Sequence, residues 1–539
     1  MKKKITQHLP LFLIVILGLF LRVAFLNISP PSLNEDEAAL GYNAFSILKT
    51  GADEHGKFLP LALESFGDWK LPVYSYIDVI FVAALGLSEL TVRLPSIISG
   101  AAGIFLIYLI CQKLFEKKVL SLISAFFFAV SPWSIFFSRA AYEVNLATTL
   151  FLTGLYLFLL ASSKKHTNTK LLLLSGIGVG LPLLTYHSYI IFIPLFLIFI
   201  GVYFWKQLHW NLLYLFLPVL FFVFLFLLST ISGGQSKFTT TSIFTNKNII
   251  YNRVENFKKD TLPHEILFEK IHTKYLGTSY QFLQNYTNSF SPTFLFDRGG
   301  EKLVHNLDGF GNIYLIDALL LFAGIAGIFF KREKHIPLIL AWLFLAPIPS
   351  ALTLDSPNST RLFILMPLFV IISSYGAWTL FLLLHKRLYG KLCLMILFGF
   401  FIVNVVFFLD LYFIHFGYHR AKFWHYGYKE AVILSQLNVK SPVVMRGPEN
   451  FPYIYFLFYN KYDPVRFRKE VEYYPTTQDG FRYVKKFGNY SFVGRIQDVS
   501  EKPGTLYIED QNFNQEDMVI RLPNGDPVLK YYMGGKKNL

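Results

Sequence analysis

The sequence predicts an all-α polytopic membrane protein carrying a small α/β domain at its C-terminal end. Three observations predict it. The 539 residues are 53% hydrophobic, 18% aromatic and only 16% charged, which excludes a disordered chain and an ordinary soluble protein. Apolar runs of roughly 17–25 residues, the length of a bilayer-spanning helix, recur as far as about residue 415. Beyond 417 the composition changes completely, with Pro, Gly, Asn and charged residues spread throughout 418–539.

Taken in order, the apolar runs give about eleven crossings, near 9–28, 92–114, 119–138, 143–162, 170–190, 191–207, 210–231, 312–330, 336–353, 361–384 and 391–415. Lys2, Lys3 and Lys4 precede the first run and lack a small-residue cleavage site after it, so this run reads as a retained helix with a cytoplasmic N-terminus. The other basic clusters sit in short connectors: Lys117-Lys118, Lys164-Lys165, Lys206, Lys331-Arg332 with Lys334, and Lys386-Arg387 with Lys391. Alternation of the spans puts all of them in the cytoplasm, and an odd number of spans leaves the C-terminus outside. This is the expected topology of a multi-pass plasma-membrane protein. The formal charge of +15 is therefore topological, not a nucleic-acid-binding stripe. Cys111 and Cys393 both fall inside apolar runs, which argues against a disulfide or thiolate-metal framework.

Three stretches do not read as simple spans. Residues 29–91 form a long outer loop, in which the apolar run from Leu71 to about Leu87 is better placed as an interfacial or re-entrant helix than as a crossing, because a crossing would reverse every later connector. Residues 232–311 form a second outer loop, polar and rich in Thr, Asn and Tyr. Residues 418–539 form an extracytoplasmic α/β domain, separate from the membrane domain 1–417. Its strand-like runs include Val443-Val444-Met445 and Thr505-Leu506-Tyr507-Ile508, with a turn at Asn524-Gly525.

Chemistry-bearing residues gather on the outer face of this topology. Asn34-Glu35-Asp36-Glu37 follows the first span, where carboxylates are costly. The same residues also read as a helix N-terminus, Asn34 capping and Glu37 completing a capping box. Phe66-Gly67-Asp68-Trp69-Lys70-Leu71-Pro72 combines a glycine turn with an Asp and a Lys, and Ser138-Arg139 is followed by Glu143 at the end of the third span. Arg139 and Glu143 read either as a local ion pair or, for Glu143, as a second pocket carboxylate. His187 and Tyr189 in Tyr186-His187-Ser188-Tyr189 read as interface residues or ligand contacts. Arg361 at the mouth of the tenth span reads as a snorkelling cation or an anchor for a lipid phosphate. There is no Walker loop, Gly176-Ile177-Gly178-Val179-Gly180 lies within an apolar span, and no chain of carboxylates runs at mid-depth. These absences weigh against nucleotide binding and proton-coupled transport.

Asp36-Glu37, Asp68-Trp69-Lys70-Leu71-Pro72, Thr91-Val92-Arg93-Leu94-Pro95-Ser96 and Ser138-Arg139 with Glu143 together resemble the C-type (GT-C) membrane glycosyltransferases. Within these, they are similar to the group of bacterial protein O-mannosyltransferases and lipid A aminoarabinose transferases. The resemblance is strongest over 30–190 and weaker to about 415; where relatives often have Lys-Pro-Pro, this chain has Lys70-Leu71-Pro72. It implies a polyprenyl-phosphate-linked sugar as donor, a protein, lipid or glycan acceptor, and an active site in the outer loops. The residues suit that chemistry. Asp36 would deprotonate the acceptor hydroxyl with Glu37 beside it, and Arg361, helped by Lys70 or Arg139, would hold the departing phosphate. Asp68, Glu143, His187 and Tyr189 would contact sugar or acceptor. Direct displacement would invert the anomeric centre. No cofactor is required; the carboxylates are compatible with a divalent metal, but their spacing does not demand one. A lipid-linked sugar flippase or exporter, and a polysaccharide polymerase or ligase, remain as alternatives.

Overall fold

The computed structural model describes residues 2–162, 167–231, 241–244, 273–438, 441–477, 480–511, 513 and 518–535. It opens with α1 (Lys2–Val23), α2 (Glu35–Thr50), the hairpin β1 (Leu63–Ser65) and β2 (Asp68–Lys70), then α3 (Val73–Leu85) and α4 (Glu89–Phe115). The expected capping box at Asn34 forms in full: its side chain accepts from the Glu37 amide at 2.8 Å, and the Glu37 carboxylate accepts from the Asn34 amide at 3.2 Å. Gly51, in the left-handed region, ends α2. Ser88 caps α4 in the same manner, accepting from the Thr91 amide.

Among the described residues, five helical stretches can cross a membrane by length and composition, or six if one bent pair counts as a single span. They are α4, α7 (Glu143–Ser162), the apolar stretch Tyr189–Ile231, Leu365–Leu384 and Leu388–Trp424. The count of about eleven is thus not reproduced by length. Helices within His8–Val23, Val73–Leu85, Thr169–Leu184, Asp317–Phe330 and Ile336–Ala351 are apolar but only 10–17 residues long, shorter than a bilayer normally requires. The run read as one crossing at 119–138 is broken. Its two pieces, Lys118–Val130 and Pro132–Ser138, meet at 54°. Ser131 precedes a proline, which drives its backbone out of the helical region, and Pro132 then starts the second piece at the position where its missing N–H costs nothing.

The spans differ in surroundings. In α4 and α7, 61% and 67% of the most apolar window is buried within the protein, against 22% for Tyr189–Ile231 and 17% for Leu388–Trp424. The first two form the helical core and the last two its lipid-facing rim. The connectors at Lys117 and Glu333 meet, the two side chains pairing at 2.8 Å, and Gln207 donates to the Ser162 carbonyl at 2.5 Å.

The C-terminal region forms the expected α/β unit. Its mixed seven-stranded sheet runs β4-β5-β6-β3-β7-β9-β8, from β3 (Val443–Arg446), β4 (Glu472–Tyr473), β5 (Val484–Phe487), β6 (Tyr490–Val493), β7 (Leu506–Glu509), β8 (Met518–Arg521) and β9 (Pro527–Met533). β3 lies parallel to both β6 and β7. The turn at Asn524-Gly525 joins β8 to β9, with the Leu522 amide donating to the Asp526 carbonyl at 2.8 Å.

This unit does not hang free of the membrane region. The helix Tyr453–Tyr459 packs on α2, and one hydrophobic cluster contains Leu33, Ala38, Leu40, Tyr42 and Val92 together with Tyr455, Phe456 and Phe458. The approach is close enough to need glycine: a Cβ on Gly41 would lie 2.4 Å from Val92 and 2.7 Å from Phe458. Tyr459 and Lys429 both reach Glu89 at the start of α4, at 3.0 and 2.8 Å. The β1–β2 hairpin is tied on as well, the Arg482 amide donating to the Phe66 carbonyl at 2.9 Å.

Candidate active site

A cavity of about 600 Å³ opens where the first turn of α2, the end of β2, the 141–144 turn, the 185–191 segment, the 302–305 loop and the 349–361 segment converge. Its size is that of a small-molecule site. Asp36, Lys70, Glu143, His187 and Arg361 all line it, drawn from five separate stretches of chain. Apolar residues, among them Ile190, Ile191, Phe226 and Leu352, form part of the wall.

Asp36 projects from the rigidly capped start of α2 with its side chain 57% exposed, and Lys70 reaches it at 2.5 Å. Lys70 itself is buried, its ammonium 5.1 Å from the centre of the Phe66 ring. The hairpin therefore delivers one cation to the Asp36 carboxylate. His187 is held beside it, its Nε2 3.3 Å from the Trp69 carbonyl.

Two more cations, Arg361 and Lys302, line the cavity. Arg361 pairs with Asp355 and donates to the Thr353 hydroxyl at 3.1 Å. Asp355 also lies 3.9 Å from Lys302 and accepts from Asn358 at 2.9 Å. Burial alone would raise the Asp355 pKa, but Arg361 and Lys302 outweigh it and hold the group below the usual carboxylate range. Lys302 comes from a loop fixed by Asn306, which accepts from the Gly300 amide and the Ser359 hydroxyl and donates to the Gly300 and Lys302 carbonyls. Gly299 turns that loop at φ +70°, and a Cβ there would meet Asn306 at 2.2 Å.

Four of the residues expected at the site lie elsewhere. Glu37 is buried; it pairs with Arg93 at 2.9 Å and accepts from the Ala141 amide at 2.8 Å. It fastens Asn34 and Ala141, both of which line the cavity, but does not line the cavity itself. Arg139 is also fully buried, donating to the Leu21 and Ser29 carbonyls at 2.8 and 2.5 Å, with its guanidinium 4.6 Å from the Phe413 ring centre. Tyr189 is buried on Thr148 at 2.8 Å, and the Asp68 carboxylate folds back to the Trp69 amide at 2.9 Å. None of these four lines the cavity.

Conversely, Lys302 and His305 line it without having been singled out. The available signal was the charged, glycine-bearing run Asp297-Arg298-Gly299-Gly300-Glu301-Lys302 closing the second long loop. Glu35 also reaches the wall, 3.2 Å from His425 of the C-terminal region. Among the described residues, no group of three or more His, Cys, Asp or Glu side chains is disposed to hold a metal ion.

The family model described as dolichyl-phosphate-mannose-protein mannosyltransferase matches residues 70–231. Among solved structures, ArnT from Cupriavidus metallidurans bound to undecaprenyl phosphate is similar over 96% of this chain and 97% of that chain, with a TM-score of 0.51 at 12% identity. The oligosaccharyltransferase of Archaeoglobus fulgidus, tethered to an acceptor peptide, matches over 84% of this chain with a TM-score of 0.47 at 14% identity. This chain spans 59% of that protein's length. No curated protein sequence matches.

Proposed function

We propose that this protein transfers a sugar from a polyprenyl-phosphate donor to an acceptor hydroxyl on the outer face of the membrane, with inversion. The observation that carries this reading is one cavity whose lining brings a solvent-exposed carboxylate, Asp36, together with the cations Lys70, Lys302 and Arg361. In this reading the N-terminus is cytoplasmic, as the basic connectors favour, and the cavity and the C-terminal unit lie outside.

In this reading Asp36 accepts the proton of the acceptor hydroxyl, and the oxygen attacks the anomeric carbon. The bond from that carbon to the phosphate oxygen breaks, and its electron pair leaves on the phosphate. Lys70, Lys302 and Arg361 stabilise the charge that develops there. A phosphate is already a good leaving group, so no strong general acid is needed. Glu143 and His187 contact sugar or acceptor, and the wall of Ile190, Ile191, Phe226 and Leu352 takes the first isoprene units. The acceptor is a protein, a lipid or a glycan. No step is routed through a metal ion.

The test is turnover of a radiolabelled polyprenyl-phosphate sugar panel by wild type and Asp36→Asn in liposomes, with lipid and protein extracts as acceptors. Release of free polyprenyl phosphate by wild type alone is the expected result. Donor binding without release by wild type would replace the transferase with a lipid-linked sugar carrier.

A further inference from the structure

His305 lines the cavity together with Asp36, Lys302 and Arg361. Its ring lines the main cavity and also a second void of about 20 Å³ behind it, bounded by Trp133, Phe136 and Asn312, so it forms the partition between the two spaces. It packs edge-on to Tyr142, ring centres 5.6 Å apart, and Tyr142 in turn donates to the Val304 carbonyl at 3.1 Å. The ring feels the charges of Lys302, Asp36, Arg361 and Asp355, so the carboxylate and the cations of the cavity both act on it. Its Nδ1 is buried and has no hydrogen-bond partner among the described residues.

A buried polar atom without a partner is unusual and calls for one that the protein does not supply. The void behind the ring is large enough for one water, which can serve one nitrogen and leave the other for a ligand in the cavity. Burial, reinforced by Lys302 and Arg361, pushes the pKa of His305 down to about 3. At neutral pH the ring is therefore uncharged and a poor base beside a carboxylate. A neutral imidazole offers one donor and one acceptor. That pair matches a hydroxyl, which both donates and accepts, and not an ionised phosphate, for which the cations are already in place.

We propose that His305 reads the transferred sugar, hydrogen-bonding a hydroxyl of the glycosyl group where it lies between the phosphate-binding cations and Asp36. This deepens the transferase reading and rests on it for the identity of the ligand. It makes His305 a specificity residue that acts on the sugar alone.

The test compares the affinity of sugar-bearing and sugar-free polyprenyl phosphate for wild type, His305→Phe and His305→Gln, each purified in the same liposomes. The ratio of the two affinities isolates what the sugar contributes. In His305→Phe, which keeps a ring against Tyr142, that ratio should fall about tenfold while sugar-free lipid binds as before. His305→Gln, which restores a donor and an acceptor, should recover most of it. The wild-type ratio should be flat from pH 5 to 8. Equal loss of both lipids in His305→Phe and His305→Gln, an unchanged ratio, or a wild type that binds the two lipids equally would each overturn the proposal. A wild type that shows the sugar-dependent increment but no turnover would overturn the transferase reading and leave the role of His305 standing.

Discussion

Asp36 and Glu37 are neighbours in sequence and belong to two different layers of charge. Beneath the cavity, Glu37 accepts from both Arg93 nitrogens at 2.9 and 3.1 Å, from the Ala141 amide and from the Asn34 amide. Arg93 also donates to the Leu26 and Ser32 carbonyls at 3.2 and 2.6 Å. On the cavity wall, Asp36 is more than half exposed and reaches Lys70, which comes from a hairpin. One step along a helix turns the side chain by about 100°, enough to send one carboxylate into protein and the next into the cavity. The buried layer ties α2, α4 and the 141 turn into a fixed frame, since burying a charge is tolerable only when its lone pairs and protons are matched. The wall charges keep capacity for a ligand. Rigidity below is what makes placement above reproducible.

Substitutions can break or sharpen this contrast. The largest effect belongs to Asp36→Asn, which should lower turnover by about 10²–10⁴-fold with little change in donor affinity, as read by single-turnover release of polyprenyl phosphate. Equal loss of donor binding would mean that Asp36 is part of the frame. Arg93→Met attacks the frame instead. Stranding Glu37 without its partner should cost about 3–5 kcal/mol of stability, measured by denaturant unfolding in detergent. A variant as stable as wild type would show that water or another cation reaches Glu37.

Arg361→Gln removes a wall cation and should raise the donor KM by roughly 10–100-fold at unchanged melting temperature. A large drop in stability there would move Arg361 and its Asp355 partner into the frame.

The smallest effect tests the junction with the C-terminal unit. Glu54 is buried against Ser65 at 3.0 Å and Asn43 at 3.4 Å, with Tyr453 at 3.5 Å from its second oxygen. Burial raises its pKa, with His55 opposing. The folded state thus favours the protonated acid. Its contribution is fully present below the ordinary carboxylate pKa and is lost as pH rises through the elevated folded value. Glu54→Gln, neutral at every pH, should raise the melting temperature by roughly 2 °C at pH 8. That gain should vanish on acidification, and a pH-independent gain would assign it to packing.

Several features were legible from local sequence. The capping box at Asn34 and Glu37, the strands at Val443–Arg446 and Leu506–Glu509, and the hairpin turn at Asn524-Gly525 all follow from rules that act over a few residues. So did five of the cavity residues, Asp36, Lys70, Glu143, His187 and Arg361, because costly charges beside hydrocarbon stand out in composition. The Ser131–Pro132 break carries an equally local signal, a residue before proline, but hydropathy alone reads straight through it as one apolar run. Arg139 was misplaced for the opposite reason: a charged residue at a helix end reads as available, and only the carbonyls of Leu21 and Ser29, more than a hundred residues away, show that it is spent.

The sequence by itself determined that this is a multi-pass membrane protein with an α/β unit at one end, because hydropathy, helix caps and turn residues are short-range properties. Only the tertiary structure decided which charges face the cavity. It separated Asp36 from Glu37, brought Lys302 and His305 to the wall, and merged the 29–91 segment with the C-terminal unit in one apolar cluster. The physical reason is that the direction of a side chain depends on its helix phase, whereas its surroundings depend on partners supplied from distant parts of the chain.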